Sequence, residues 1–95
     1  MSNQDIKLEI KNALTSYAIA KGKSLKTVSE YTRGACVVLQ NVASISELNA
    51  DDLAEILKQW LSNPENRQRQ SKHKGIYSAS MNAMIKFKNE IGEVN

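Results

Sequence analysis

One cysteine, one proline and one histidine stand among the 95 residues of this chain. A lone Cys36 can form no disulfide within the chain, and so sparing a use of thiols fits a reducing compartment. With one His and one Cys, none of the usual zinc ligand sets can be assembled from a single chain. No apolar run approaches the roughly 20 residues of a membrane-spanning helix, and the polar start MSNQDIKLE lacks the apolar stretch of a signal peptide. Low-complexity tracts and internal repeats are absent from the sequence. The expectation is a cytoplasmic protein that makes no contact with a membrane and carries no cofactor.

What is present suits one small domain. A chain of 95 residues that is 41% hydrophobic and 24% charged can fold around one modest core. The net charge of +3 is mild, so the distribution of charge says more than the total. Residues 21 to 33 hold Lys21, Lys23, Lys26 and Arg33 against Glu30. Residues 47 to 55 hold Glu47, Asp51, Asp52 and Glu55 with no base among them. Lys58, Arg67, Arg69, Lys72 and Lys74 then follow against Glu65. Two basic stretches flanking an acidic one imply a dipolar surface.

Apolar spacing is helical almost throughout. Ile6, Ile10, Ala13, Leu14 and Tyr17 recur at steps of three and four and predict a first helix over residues 3–21. Ser2 or Asn3 can cap its start with Asp5 in the first turn, and Gly22 can close it as a left-handed terminator. Ser24 is a good N-cap for a second helix over 25–42, striped by Leu25, Val28, Ala35, Val38, Leu39 and Val42. Gly34 inside it suggests close packing against a neighbour. Asn49 caps a third helix over 50–62, with Asp51 and Asp52 in its first turn and Leu53, Ile56, Leu57, Trp60 and Leu61 on its buried face. Pro64 pushes the residue before it out of helical geometry and stops that helix. The basic segment ENRQRQSKHKG then reads as a mobile connector into a last helix over 74–91, closed by Gly92. Four helices with short connectors make a compact all-α domain.

A catalytic constellation is missing: there is no phosphate-binding loop, dinucleotide fingerprint or nucleophile elbow, and no Ser, Thr or Tyr has an evident paired base. Asp51, Asp52 and Glu55 are explained by a capped helix N-terminus better than by a metal. Cys36, Met81, Met84, Phe87 and Trp60 fall on apolar stripes and read as core. The basic stretches remain. Both sit at helix starts or the turns before them, where free backbone N–H groups and the helix dipole favour anions. Ser24, Thr27, Ser71, Tyr77 and Ser78 are interleaved with the cations, and such hydroxyls commonly bond phosphate oxygens. Arg67 and Arg69 add guanidinium forks suited to bidentate contacts.

KSLKTVSEYTRGACVVLQ, with Ser24, Thr27 and Tyr31, resembles the S-x-x-T-x-x-x-Y opening of the core-binding, or SAM-like, N-terminal domain of tyrosine recombinases and phage integrases. SISELNADDLAEILKQWL resembles the family's next segment, and KGIYSASMNAMIKFKNEIG its last helix. The resemblance implies a four-helix bundle that clamps one side of a DNA duplex beside a separate catalytic domain, to which nothing here corresponds. Ser24, Lys26 and Thr27 would form one phosphate-contact group and Lys72, Lys74 and Tyr77 the other. Arg67 and Arg69 join them on charge alone. The expected function is a non-catalytic module that binds double-stranded DNA. The alternative is a small phage or mobile-element module that docks on a larger protein partner, for which the dipolar charge layout is equally suited.

Overall fold

The computed structural model describes residues 3–91. Helix α1 (Asn3–Lys21) buries Ile6, Ile10, Ala13, Leu14 and Tyr17 as the predicted stripe. It ends in a Schellman motif: Gly22 takes φ 69°, the Lys23 N–H donates to the Ala18 carbonyl at 2.8 Å, and the Gly22 N–H to that of Ile19 at 3.5 Å. The expected roles of Ser2, Asn3 and Asp5 at its start, and of Gly92 near the chain's end, lie outside the described side chains and residues.

Helix α2 (Leu25–Val38) begins at Ser24, whose hydroxyl accepts the Thr27 N–H at 3.2 Å. It stops at Val38, short of the expected Val42. The chain turns there because the Glu9 carboxylate holds the next loop, accepting the Ile45 N–H at 2.8 Å and the Ser44 hydroxyl at 2.9 Å. That clamp presses Ile45 into the core. Helix α3 (Ala50–Leu61) carries a capping box in which Asn49 accepts the Asp52 N–H at 2.8 Å and Asp52 accepts the Asn49 N–H at 3.0 Å. Leu53 is fully buried, while Ile56, Leu57, Trp60 and Leu61 are half-buried.

The segment expected as a connector is a helix, α4 (Pro64–Lys72), so the described residues form five α-helices rather than four. The same constraint that ends α3 begins α4. Asn63 is extended, as a residue before proline must be, and its side chain caps the Glu65 N–H at 2.9 Å. Pro64 occupies the first helical position, where a missing N–H costs nothing. None of the nine residues of α4 is buried, which is why no apolar periodicity announces it. Helix α5 (Ile76–Lys86) runs into a π-helical turn over Phe87–Ile91.

α5 is the axis of the all-helical globule. It touches α1, α2, α3 and α4, and buries Tyr77, Ser80, Met81, Ala83 and Met84, with Phe87 buried at the start of the π-turn. Complete burial of Ile10, Leu14, Leu39 and Leu53 contributes about 1.5–3 kcal/mol each. The tightest seam is between α2 and α5. A Cβ placed on Gly34 would lie 2.5 Å from the Ser80 hydroxyl oxygen and 3.3 Å from both the Ser80 Cβ and the Ile76 carbonyl oxygen. Lys21 at the end of α1 is tied to Glu90 in the π-turn at 2.5 Å.

Two consequences can be measured. Gly34→Ala should cost about 1–3 kcal/mol in denaturant unfolding, despite alanine's better helix propensity, because the neighbouring backbone must shift. Adding Ser80→Ala should recover part of that loss, since the nearest clashing atom is gone. For the Lys21–Glu90 pair, the mutual hydrogen bond raises the lysine above 10.5 and lowers the carboxyl below 4.5. A depressed carboxyl pKa stabilises the fold above 4.5 and is lost as pH falls; a raised lysine pKa stabilises below 10.5 and is lost as pH rises. Glu90→Gln should therefore lower the melting temperature only slightly at neutral pH, with the difference from the parent chain disappearing in acid.

Candidate nucleic-acid interface

The turn between α4 and α5 concentrates the basic stretch and holds it rigidly. The Gly75 N–H donates to the Gln70 carbonyl at 2.8 Å and the Lys74 N–H to that of Ser71 at 3.2 Å, a second Schellman motif. At the end of α1 the left-handed position of this motif is glycine. Here it is Lys74, at φ 57°, followed by a left-handed Gly75. Lys74 is the one non-glycine residue with positive φ among those described, and such a conformation costs a side-chain-bearing residue about 1–2 kcal/mol. The Gln70 side chain locks the turn from the inside: it accepts the Ser78 N–H at 3.1 Å and donates to the Ser78 hydroxyl.

This locking changes one expectation. The start of α5 was to offer free N–H groups to an anion. Instead the Gly75 N–H is held by the Gln70 carbonyl, the Ile76 N–H by the His73 carbonyl and the Ser78 N–H by the Gln70 side chain. Three of the first four N–H groups at this helix start are thus taken, and side-chain charge carries most of the attraction for an anion.

An open groove of about 510 Å³ lies between α2 and this turn, lined by Glu30, Arg33, Gly34 and Val37 on one side and His73, Lys74, Ile76 and Tyr77 on the other. It brings Arg33, from the first basic stretch, opposite His73 and Lys74, from the second. Lys26 stands seven residues before Arg33 and so lies on the same exposed ridge of α2. Tyr77 lines the groove floor as a packed ring, only 8% exposed, with its centroid 4.9 Å from that of Trp60 and 5.8 Å from that of His73. Its ring is packed into the groove and does not project from it.

The remaining predicted residues are less gathered. Arg69 and Lys72 are exposed one turn apart on α4, leading toward the groove. Arg67 is also exposed, but two residues from Arg69 it points about 200° away around the axis, so the two guanidiniums cannot share a phosphate. Ser24 and Thr27 sit at the start of α2, about 14 Å and about 9 Å along the helix from Arg33. Their hydroxyl oxygens pair with each other at 3.2 Å. Sequence reasoning named Arg33 as charge but not as a site residue. Its seven-residue spacing from Lys26 was the available signal. Lys21 is bound to Glu90 and leaves the basic set.

Among the described residues, no group of three or more His, Cys, Asp or Glu could hold a metal ion, and no helix is long and apolar enough to cross a membrane. No family model matches the chain, and neither a curated protein nor a solved structure is similar to it. Nothing in these comparisons shows the expected resemblance to core-binding domains.

The strained lysine gives a direct test of the turn. Lys74→Gly should raise stability by about 1 kcal/mol in denaturant unfolding, by removing a Cβ from a left-handed position. Lys74→Ala keeps that Cβ and should give no such gain.

Proposed function

We propose that this chain is a non-catalytic DNA-binding module of an integrase-like or mobile-element protein, contacting mainly the phosphate backbone of a duplex. The observation that carries the reading is the convergence of Arg33 with His73 and Lys74 across one open groove, although about forty residues of chain separate them. Lys26 on the same ridge and Arg69 and Lys72 on α4 extend the positive surface on either side. Lys74 supports it further. A lysine stands where glycine would be less strained, at a cost in stability, and such outliers concentrate where a side chain is used.

Contacts of this kind position a protein on DNA without reading bases, so binding is weak, salt-sensitive and tolerant of sequence. Ser24 and Thr27 at the start of α2 can add hydroxyl contacts to phosphate by exchanging their mutual pairing. The four-helix SAM-like arrangement belongs to the same proposal, with α4 added as a short basic helix ahead of the last one.

Fluorescence anisotropy of a labelled mixed-sequence duplex, titrated over a series of salt concentrations, tests it. Four to six neutralised phosphates give a log–log salt slope of roughly −4 to −5. Replacing Arg33 and Lys74 by glutamine together should flatten the slope by about 2 units, whereas Arg67→Gln should move it by about 1 at most. Lys74→Gly, more stable yet weaker in binding, separates the charge from the fold. A slope unchanged by the Arg33 and Lys74 pair would remove the site.

A further inference from the structure

A second groove, of about 530 Å³, runs along the seam between α1 and α2 and is lined by Lys7, Lys11, Thr15, Leu25, Val28, Ser29, Thr32, Arg33 and Cys36. Its chemistry differs from that of the first. Three cations and no carboxylate line it, and they gather toward one end, where Lys7 and Lys11 face Arg33 and Cys36. The other end is apolar. Leu25 is 76% exposed, and Ile19, one turn beyond Thr15 on α1, is 77% exposed. Leu8, beside Lys7 at the cationic end, is 58% exposed. These three are the exposed large hydrophobic residues among those described; Leu25 lines the groove, and Leu8 and Ile19 stand on α1, whose Lys7, Lys11 and Thr15 form its other wall.

Leaving three such side chains in water forgoes apolar burial that a chain of this size can little spare. An exposed leucine inside a cation-lined groove, with two more exposed apolar side chains on the helix that walls it, marks a surface that meets a partner. The occupant must answer two features at once. Nucleic-acid phosphates would satisfy Lys7, Lys11 and Arg33 but bury none of the leucines. An anionic bilayer meets protruding amphipathic faces, whereas this site is recessed between two helices. A second copy related by a two-fold axis through the groove would set the cations of each against the apolar end of the other, with no carboxylate in either groove to answer them. A helix with one apolar stripe and acidic flanks matches both. The lined length, from Leu25 to Cys36 on α2, is about 16 Å, or three helical turns, enough for apolar anchors at i, i+4 and i+7.

We propose that the α1–α2 groove docks an acidic amphipathic helix of a protein partner, its apolar anchors against Leu25 and Val28 and its carboxylates against Lys7, Lys11 and Arg33. The proposal does not rest on DNA binding at the other groove, since Lys7, Lys11 and Leu25 take no part there, although Arg33 lines both. Docking of this kind would let a protein partner compete with DNA for Arg33.

Cys36, the chain's one cysteine and half-exposed in this groove, reports on its occupancy. The experiment follows maleimide alkylation of Cys36 in the full chain, with and without a synthetic helical peptide of about four turns bearing leucines at i, i+4 and i+7 and glutamates on both flanks. Held at ten times its dissociation constant, the peptide should slow alkylation about tenfold. The same leucines flanked by lysines, and the same glutamates with alanine for leucine, should give no protection. Lys7→Glu with Lys11→Glu, and separately Leu25→Gln, should each abolish protection by the first peptide; these residues are exposed, and circular dichroism confirms that the variants remain folded. No protection by the leucine–glutamate peptide at millimolar concentration would overturn the proposal. So would equal protection by the lysine-flanked peptide, or protection instead by the mixed-sequence duplex or by phosphatidylcholine–phosphatidylserine vesicles. Protection that grows with protein concentration alone would also overturn it, by making a second copy the occupant.

Discussion

The close approach of α2 to α5 at Gly34 and Ser80 is the contact on which the rest of the molecule depends. With no side chain on Gly34, the backbone of α2 lies against Ser80 and the Ile76 carbonyl. That approach fixes both flanks of α2. On one side it sets Arg33 and Val37 opposite the α4–α5 turn and so creates the first groove. On the other it leaves Leu25, Ser29 and Cys36 facing α1 across the second. A larger residue at position 34 would widen the seam and move Arg33 away from Lys74, so stability and the geometry of the cationic surface are linked at a single residue. Packed interiors transmit such shifts and do not absorb them.

The α4–α5 turn is the other fixed point, and polar groups hold it where apolar ones do not. No residue of α4 is buried. Its attachment is a set of hydrogen bonds: Asn66 donates to the Trp60 carbonyl at 2.8 Å, and Gln70 bridges to Ser78 through both side-chain atoms. The Tyr77 ring, packed between Trp60 and His73, closes the base of the turn. A turn held in this way presents Lys72, His73 and Lys74 in one arrangement, which lowers the ordering entropy lost on binding compared with a flexible connector of the same charge.

Much of the fold was legible because local signals and burial agreed. Ser24, Asn49 and Gly22 occupy the cap positions that their chemistry favours, and the stripe of α1 is buried as its spacing requires. Gly34 showed its close approach in the sequence. The fourth helix was hidden for a physical reason: periodicity reports burial, and α4 buries nothing. Pro64 carried two messages, the end of one helix and the first residue of the next, and only the first was read. The candidate site was less legible than the fold. Charge along the chain identified Lys26 and Lys74, but their relation depends on how α2 crosses α5, which no local pattern encodes. Helical spacing could have separated Arg67 from Arg69 and joined Lys26 to Arg33. It could not have placed Tyr77 beneath the groove.

Arg33 is the side chain through which the two grooves can influence one another, because it lines both. Its guanidinium has five donors in a fixed plane and can serve a phosphate on one flank of α2 or a carboxylate on the other. It cannot satisfy both fully. An occupant that draws Arg33 toward α1 lowers the positive potential opposite Lys74, and an occupant of the α5 side draws it back. The coupling is reciprocal by linkage, so whatever affinity one ligand loses in the presence of the other is lost equally in the reverse order. Glu30, on the α5 flank of the same ridge, weakens that groove's hold on anions, whereas no carboxylate lines the α1 flank. The balance between the two sites therefore turns on one arginine and one glutamate, three residues apart on the same helix.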